Sequence, residues 1–171
     1  MDNVAGRKRD TVFLRNIVFG IEDGLVSTVG FVSGVAAGGL DSGSIILTGL
    51  ILVFVEAFSM GAGSFLSENS AEEYESGREL GNRRAMAGSL AMFISYMLAG
   101  LAVIAPYFFI TGYVAIGFSI TIAIAALVLL GVSSARVSHV SVSKRVAKMV
   151  ILGGAAIIIG VLVSRFVGYN P

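Results

Sequence analysis

Five apolar stretches alternate with polar segments along the chain. They cover approximately residues 13–40, 44–65, 85–105, 113–135 and 149–169. An α-helix needs about 20 mostly apolar residues to cross the hydrocarbon core of a bilayer, and each stretch meets that length. The pattern predicts an all-α membrane protein of five transmembrane helices, organised as one domain over residues 1–171. Pro106, the single internal proline, is expected to mark the end of helix 3.

The composition leaves no room for a separate water-soluble domain. Charged residues make up only 13% of the chain, whereas soluble domains carry about 25%. Helices 3 and 4 contain no charged residue and helix 5 contains only Arg165, so we expect these three helices to act as a scaffold. The chain has no cysteine, which excludes disulfides and thiolate metal sites.

Lysine and arginine are distributed unequally between the two sides of the predicted membrane domain. Three groups alternate with the helices: Arg7, Lys8, Arg9 and Arg15 at the start, Arg78, Arg83 and Arg84 after helix 2, and Arg136, Lys144, Arg145 and Lys148 after helix 4. Only Arg165 lies on the other side. Because positively charged segments are retained in the cytoplasm, we expect a cytoplasmic N-terminus and a C-terminus outside.

Helix 1 carries two acidic residues, Glu22 and Asp23, inside its apolar stretch. An ionised acid that faces lipid costs at least about 2.5–3.5 kcal/mol. Asp23 is therefore expected to face other helices, whereas Glu22 points elsewhere, and both are candidate metal ligands. The alternative is a structural carboxylate that pairs with Arg15 or with a backbone group.

The positions of small residues suggest which face of helix 1 packs. Asp23, Ser27, Gly30 and Gly34 share one face because they are spaced by three or four residues. Gly30, Gly34 and Gly38 also form a small-residue series of the kind that lets two helices approach closely. We therefore expect Asp23 to lie on the packing face of the helix.

Helix 2 contains Glu56 near the predicted middle of the membrane and Met60 one turn later on the same face. Carboxylates bind divalent cations, and a thioether adds a preference for a transition metal. Since helices 1 and 2 are antiparallel, Asp23 and Met60 are expected at similar depth. The alternatives are that Glu56 carries a proton or makes a polar contact, and that Met60 only packs.

Helix 2 is expected to continue beyond the membrane as a short acidic cytoplasmic helical segment over residues 67–84. Its glutamates are spaced so that they share one helix face. They are Glu68, Glu72, Glu75 and Glu79. Like charges at that spacing repel, and a bound cation would relieve the repulsion. The alternative is a solvated acidic face.

Two motifs resemble those of the vacuolar iron transporter family. They are FGIEDGLVS at residues 19–27 and AFSMGAGSFLS at residues 57–67. Asp23 matches the family's helix 1 aspartate and Met60 its helix 2 methionine. The resemblance implies a homodimer that exports Fe²⁺, and in some members Mn²⁺, from the cytosol in exchange for protons. It also implies an ion path at the dimer interface, lined by helix 1.

The chain departs from the family pattern in helix 1, in helix 2 and in the segment that follows helix 2. Glu22 stands where members commonly have asparagine. Leu52 stands where plant-type members have a glutamate, and the acid of this helix is instead Glu56. The connection after helix 2 is much shorter than in vacuolar members, so its glutamates resemble a reduced form of the family's cytoplasmic metal-binding domain.

These observations predict a divalent transition-metal transporter that exports Fe²⁺ or Mn²⁺ by proton antiport. The metal would be cargo, with no tightly bound cofactor, and the partners would be a second copy, protons and the bilayer. One alternative is a non-transporting metal sensor or assembly subunit that uses the acidic 67–80 helix. Another is a transporter of a different cation with Glu56 as its proton site.

Other classes of function have little support. The chain shows no catalytic constellation, which argues against an enzyme. The basic connections lack interleaved aromatic residues, which argues against nucleic-acid binding. His139, the only histidine, is expected at the surface. An integral multi-pass protein is expected, in the plasma membrane if the host is a prokaryote.

Overall fold

The structure is a computed structural model that describes the backbone of residues 2–77 and 83–168 and the side chains of 11–74, 76–77 and 85–168. It contains five α-helices, which we number α1 Asp2–Ala37, α2 Ser42–Ser76, α3 Arg83–Ile104, α4 Gly112–Val137 and α5 Val142–Val167. A 3₁₀ turn, Ala105–Phe108, follows α3 and holds Pro106, which ends that helix as predicted. All five helices are long and apolar enough to cross a membrane, which confirms the predicted fold class.

α5 begins seven residues earlier than the hydropathy pattern suggested, at Val142 instead of residue 149. Lys144, Arg145 and Lys148 lower the hydropathy of this first part, yet they lie on the helix. Long basic side chains can cover apolar surface with their stems while their charged groups reach water. The helix therefore starts before the apolar stretch does.

Asp41 sets the start of α2. Its side chain caps the helix by accepting hydrogen bonds from the backbone N–H groups of Gly43 at 2.8 Å and Ser44 at 3.1 Å. The hydroxyl of Ser44 donates a third bond at 2.7 Å. This side-chain bond, together with the backbone bonds, holds the pKa of Asp41 below its ordinary value. Ser42 and Gly43 thus belong to the first turn of α2, whereas the apolar pattern began the second helix only at residue 44.

Gly77 sets the end of α2. It adopts a left-handed conformation with φ 63°, and its N–H bonds to the carbonyl oxygen of Glu73. Glycine adopts this conformation without the steric penalty that other residues meet. The helix predicted to continue through Glu79 therefore stops at Ser76. Residues 78–82 lie outside the described part of the chain, and α3 begins at Arg83.

α1 is the central helix, because it contacts each of the other four and contacts α3 and α5 most extensively. Its glycines make these contacts close. A Cβ atom on Gly24 would lie 2.6 Å from the carbonyl oxygen of Tyr96 in α3. One on Gly34 would lie 2.7 Å from the carbonyl oxygen of Gly160 in α5. The predicted small-residue series does serve close packing, and helix α5 of the same chain covers it.

Large apolar side chains lie both inside the bundle and on its outer surface. Inside, Leu25 of α1 packs with Leu127 of α4 and Met149 of α5. Outside, Phe58 of α2 and Phe166 of α5 are 71% and 90% exposed. Such exposed aromatic side chains are expected where a helix faces lipid instead of water.

All the described lysine and arginine side chains except Arg165 lie at one end of the bundle. Arg15 lies near the start of α1, Arg136 at the end of α4, and Lys144, Arg145 and Lys148 at the start of α5. We call this the basic end. Arg165 lies near the end of α5, at the opposite end of the bundle.

A single added methyl group tests whether the contact between α1 and α3 is as close as described. Gly24→Ala should lower the thermal unfolding midpoint in detergent, because overpacking typically costs about 1–3 kcal/mol. Gly117→Ala in α4 is the matched control, since a Cβ atom there meets nothing within 4 Å. The control should be neutral or slightly stabilising, because alanine is the better helix former. Equal midpoints for the two variants would contradict the packing.

Candidate metal site

Asp23 of α1 and Glu56 of α2 form a pair of carboxylates in the membrane-crossing part of the bundle. Both side chains are half-buried. They are close enough to interact electrostatically. Two ionised carboxylates this close repel each other, and a divalent cation or a proton between them relieves that repulsion. The structure thus brings together two of the sequence-predicted site residues, one from each acid-bearing helix.

Tyr96 of α3 adds a hydroxyl group next to this pair. Its side chain is fully buried. Its Oη atom lies 2.5 Å from Oγ of Ser27, one turn after Asp23 on α1. The Tyr96 hydroxyl also interacts electrostatically with both Asp23 and Glu56. The expectation that α3 acts only as a scaffold is therefore wrong, because α3 contributes a polar group to the site.

A cavity of about 710 Å³ lies at the basic end and holds two more of the predicted residues. Glu22 of α1 and Met60 of α2 both line it. Further along, Arg15 of α1 and Arg145 of α5 line it as well. The cavity thus combines a carboxylate and a thioether with two guanidinium groups.

The register of α1 against α2 relates the cavity to the carboxylate pair. Asn16 bonds to Glu68 at the basic end, and Asp23 interacts with Glu56 further into the bundle, which is the order that antiparallel helices give. Met60 falls between the two levels, one turn nearer the basic end than Glu56. The match in depth between Asp23 and Met60 stays a prediction. A cation that entered the cavity would meet Met60 about 6 Å along the helix axis before Glu56.

Glu68 joins helices instead of extending freely from an acidic face. Asn16, which is 1% exposed, donates from Nδ2 to Oε1 of Glu68. Ser64 donates to the same oxygen at 3.2 Å. Gly88 of α3 closes the third side, because a Cβ atom there would lie 2.8 Å from Oε2 of Glu68. The carboxylate thus links α1 to α2 and packs closely against α3 at the basic end.

The other glutamates of the predicted acidic segment do not form a cluster that the structure describes. Glu72 is half-buried on α2. Glu75 lies on the same helix, but its side chain is outside the described residues, and Glu79 is wholly outside them. Among the described side chains, no group of three or more histidine or acidic residues could hold a metal ion. A metal at the Asp23–Glu56 pair therefore needs ligands of other kinds or from elsewhere.

Comparison with known families decides what kind of protein carries this site. The family model described as the VIT family matches residues 14–87 and 76–165. The chain belongs to the VIT family. Both acid-bearing motifs lie inside the first matched segment, so the resemblance seen in the sequence is confirmed. A comparison with curated proteins finds no match.

VIT family membership has two plain consequences. Together with five membrane-crossing helices, it makes the chain an integral multi-pass membrane protein. It also implies that the chain's function is membrane metal-ion transport, which agrees with carboxylates placed inside a membrane-crossing bundle.

Three contributors to the VIT site were not singled out from the sequence: Asn16, Tyr96 and Arg145. A weak signal existed for Asn16, since a buried amide in a membrane-crossing helix needs a partner. Tyr96 carried a similar signal, because its hydroxyl group lies in an apolar stretch without charged residues and needs a hydrogen-bond partner. Nothing in the sequence indicated that Arg145 of α5 faces α1, because helix periodicity does not reveal which helices are neighbours.

The hydrogen bond between Asn16 of α1 and Glu68 of α2 can be compared with a hydrogen bond of the same type within one helix. Asn16→Ala should destabilise the protein by about 1–3 kcal/mol, because it leaves a partly buried carboxylate oxygen without one of its donors. Asn69 offers the control, since its Nδ2 donates to Glu73 at 2.8 Å within α2 itself. Asn69→Ala should cost only about 0.2–0.5 kcal/mol. Thermal unfolding in detergent measures both, and equal losses would argue against the interhelical role.

Proposed function

We propose that the protein exports Fe²⁺ or Mn²⁺ from the cytosol in exchange for protons. The observation that carries the proposal is the half-buried pair Asp23 and Glu56, contributed by two neighbouring membrane-crossing helices. Acidic residues inside a membrane protein typically mark an ion path. VIT family membership supports the transport of metal, while the choice of ion, the direction and the coupling are our proposal.

The ligand chemistry favours a transition metal. Carboxylate oxygens alone would suit Mg²⁺ or Ca²⁺ equally well. The thioether of Met60, on the same helix face as Glu56 and one turn away, is a softer ligand that Fe²⁺ and Mn²⁺ accept more readily than the hard cations do. Glu22 lines the same cavity as Met60 and supplies a negative charge where the ion would enter.

Competition for the carboxylates explains how protons would be coupled to the metal. A metal ion binds the ionised form of a carboxylate, so protonation disfavours metal binding. When the ion leaves, the repulsion between Asp23 and Glu56 favours the uptake of a proton by the pair. Alternating occupancy by metal and proton is the chemistry of an antiporter.

Direction follows from the proposed orientation. If the basic end lies in the cytosol, as the positive-inside rule predicts, the cavity opens to the cytosol and metal leaves towards the opposite end. The glutamates that follow the membrane-crossing part of α2 would then gather the ion: Glu68, Glu72, Glu75 and Glu79. For Glu68 this requires the ion to replace its hydrogen bond from Asn16.

We extend the proposal to a homodimer. One chain offers a pair of carboxylates, whereas Fe²⁺ and Mn²⁺ in oxygen-rich sites are usually bound by six ligands. A second copy would supply the same side chains again, so that a shared ion could be bound by four carboxylate oxygens or more.

Metal flux in proteoliposomes tests the site. Asp23→Asn and Met60→Leu should each reduce Mn²⁺ and Fe²⁺ flux by on the order of 10–100-fold, because each removes a proposed ligand while keeping its volume. Glu73→Gln and Met86→Leu are matched controls, since both lie outside the cavity lining. The controls should transport like the parent.

Three outcomes would contradict parts of this proposal. Parent-like flux in Asp23→Asn and Met60→Leu would show that the site is assigned wrongly. Flux that does not respond to a proton gradient would remove the antiport step. Tight metal binding to residues 67–80 in a parent protein without flux would instead favour a sensor or an assembly subunit.

A further inference from the structure

Two guanidinium groups line the cavity through which a cation would enter. Arg15 comes from α1 and Arg145 from α5, and Glu22 is the single acidic residue among the lining side chains. Among the described lining residues the net charge is therefore positive, which is unfavourable for a divalent cation. A negatively charged ligand between the two arginines would remove this conflict.

Arg145 is held in place by its neighbour. Its Nε atom donates to Oγ of Ser134 at 3.3 Å, and Ser134 is only 6% exposed. A guanidinium has five N–H donors, and this bond uses one of them. The terminal amino groups remain to bind a phosphate in the two-pronged way that arginine favours. The hydroxyl-bearing side chain of Ser138 lines the same part of the cavity.

Both arginines lie near the basic end of the bundle. Arg15 is in the first part of α1, and Arg145 is in the first turn of α5. An arginine near the end of a membrane-crossing helix can extend its long side chain to the headgroup phosphates.

The remainder of the cavity suits a hydrocarbon chain. Leu14, Val18 and Phe19 of α1 also line it, and Leu14 and Phe19 are 39% and 46% exposed. The volume of about 710 Å³ is large enough for a headgroup and the first part of an acyl chain. A free phosphate would leave these apolar side chains uncovered.

We propose that this cavity binds one anionic phospholipid, with its headgroup phosphate between Arg15 and Arg145. Basic pockets between transmembrane helices are a recognised arrangement for anionic headgroups. The binding itself does not depend on transport.

Native mass spectrometry of the full chain in a neutral detergent tests the binding directly. The probes are dioctanoyl phosphatidylglycerol, dioctanoyl phosphatidylcholine and inorganic phosphate. The parent should bind one phosphatidylglycerol saturably and prefer it over phosphatidylcholine. Arg15→Gln/Arg145→Gln should weaken this binding by about tenfold or more, because two charge-assisted contacts are lost.

The control removes the same charge from the same end of the bundle. Arg136 and Lys148 also lie at the basic end but do not line the cavity. Arg136→Gln/Lys148→Gln should bind phosphatidylglycerol like the parent. Arg15→Gln alone should also weaken binding, and its exposed position makes unfolding of this variant no concern. Circular dichroism of each variant checks that helicity is kept.

Several results would overturn the proposal. If both double variants bound phosphatidylglycerol equally weakly, the lipid would be attracted to the positive charge of the basic end in general and not to this cavity. Equal binding of phosphatidylcholine would remove the role of net negative charge. Full displacement of the lipid by inorganic phosphate would identify a soluble anion as the ligand. Metal flux is not a readout here, so failure of the transport proposal would be seen separately.

Discussion

The repulsion between two carboxylates, Asp23 and Glu56, inside a membrane-crossing bundle is the interaction on which the proposed site depends. A cation between like charges relieves their repulsion. Each surrounding feature bears on this problem. Asn16 and Glu68 fix the register of the two helices, and Tyr96 brings a hydroxyl group beside the pair.

The packing of α1 explains why a cavity exists beside the acids. Glycines bring α1 close to α3 and α5, and its contacts with α2 are less extensive. Larger side chains of α1, such as Phe19 and Glu22, line the cavity together with residues of α2. A site for a mobile ion needs such space, whereas a structural ion pair would be packed more tightly.

Hydropathy predicted the five helices and their order, and it drew attention to the acids inside the first two. Membrane-crossing helices are well suited to this, because lipid leaves few alternatives to a continuous apolar helix. The helix ends were harder to predict. Asp41 and Gly77 act through local hydrogen bonds and a left-handed backbone, and α5 begins in a segment that its charges made look polar.

Contacts between helices were the part that sequence reasoning could not supply. Periodicity places Asp23 and Gly34 on one face of α1, but it does not show that α3 covers that face near Ser27 while α5 covers it at Gly34. It also placed Glu68 with the other glutamates, whereas the structure bonds it to Asn16. Which residue bonds to which depends on how each helix is tilted and which helices are its neighbours. Helix periodicity in a single sequence does not contain that information.

The equilibrium affinity for Mn²⁺ tests the central claim that Asp23 and Glu56 act on one ion. Free Mn²⁺ can be counted by electron paramagnetic resonance for the parent, Asp23→Asn, Glu56→Gln and the double variant. A shared ion predicts that the double variant loses less affinity than the two single losses combined, with a coupling of about 0.5–3 kcal/mol. Additive losses would mean that the two carboxylates act independently, and the account of the site would be wrong.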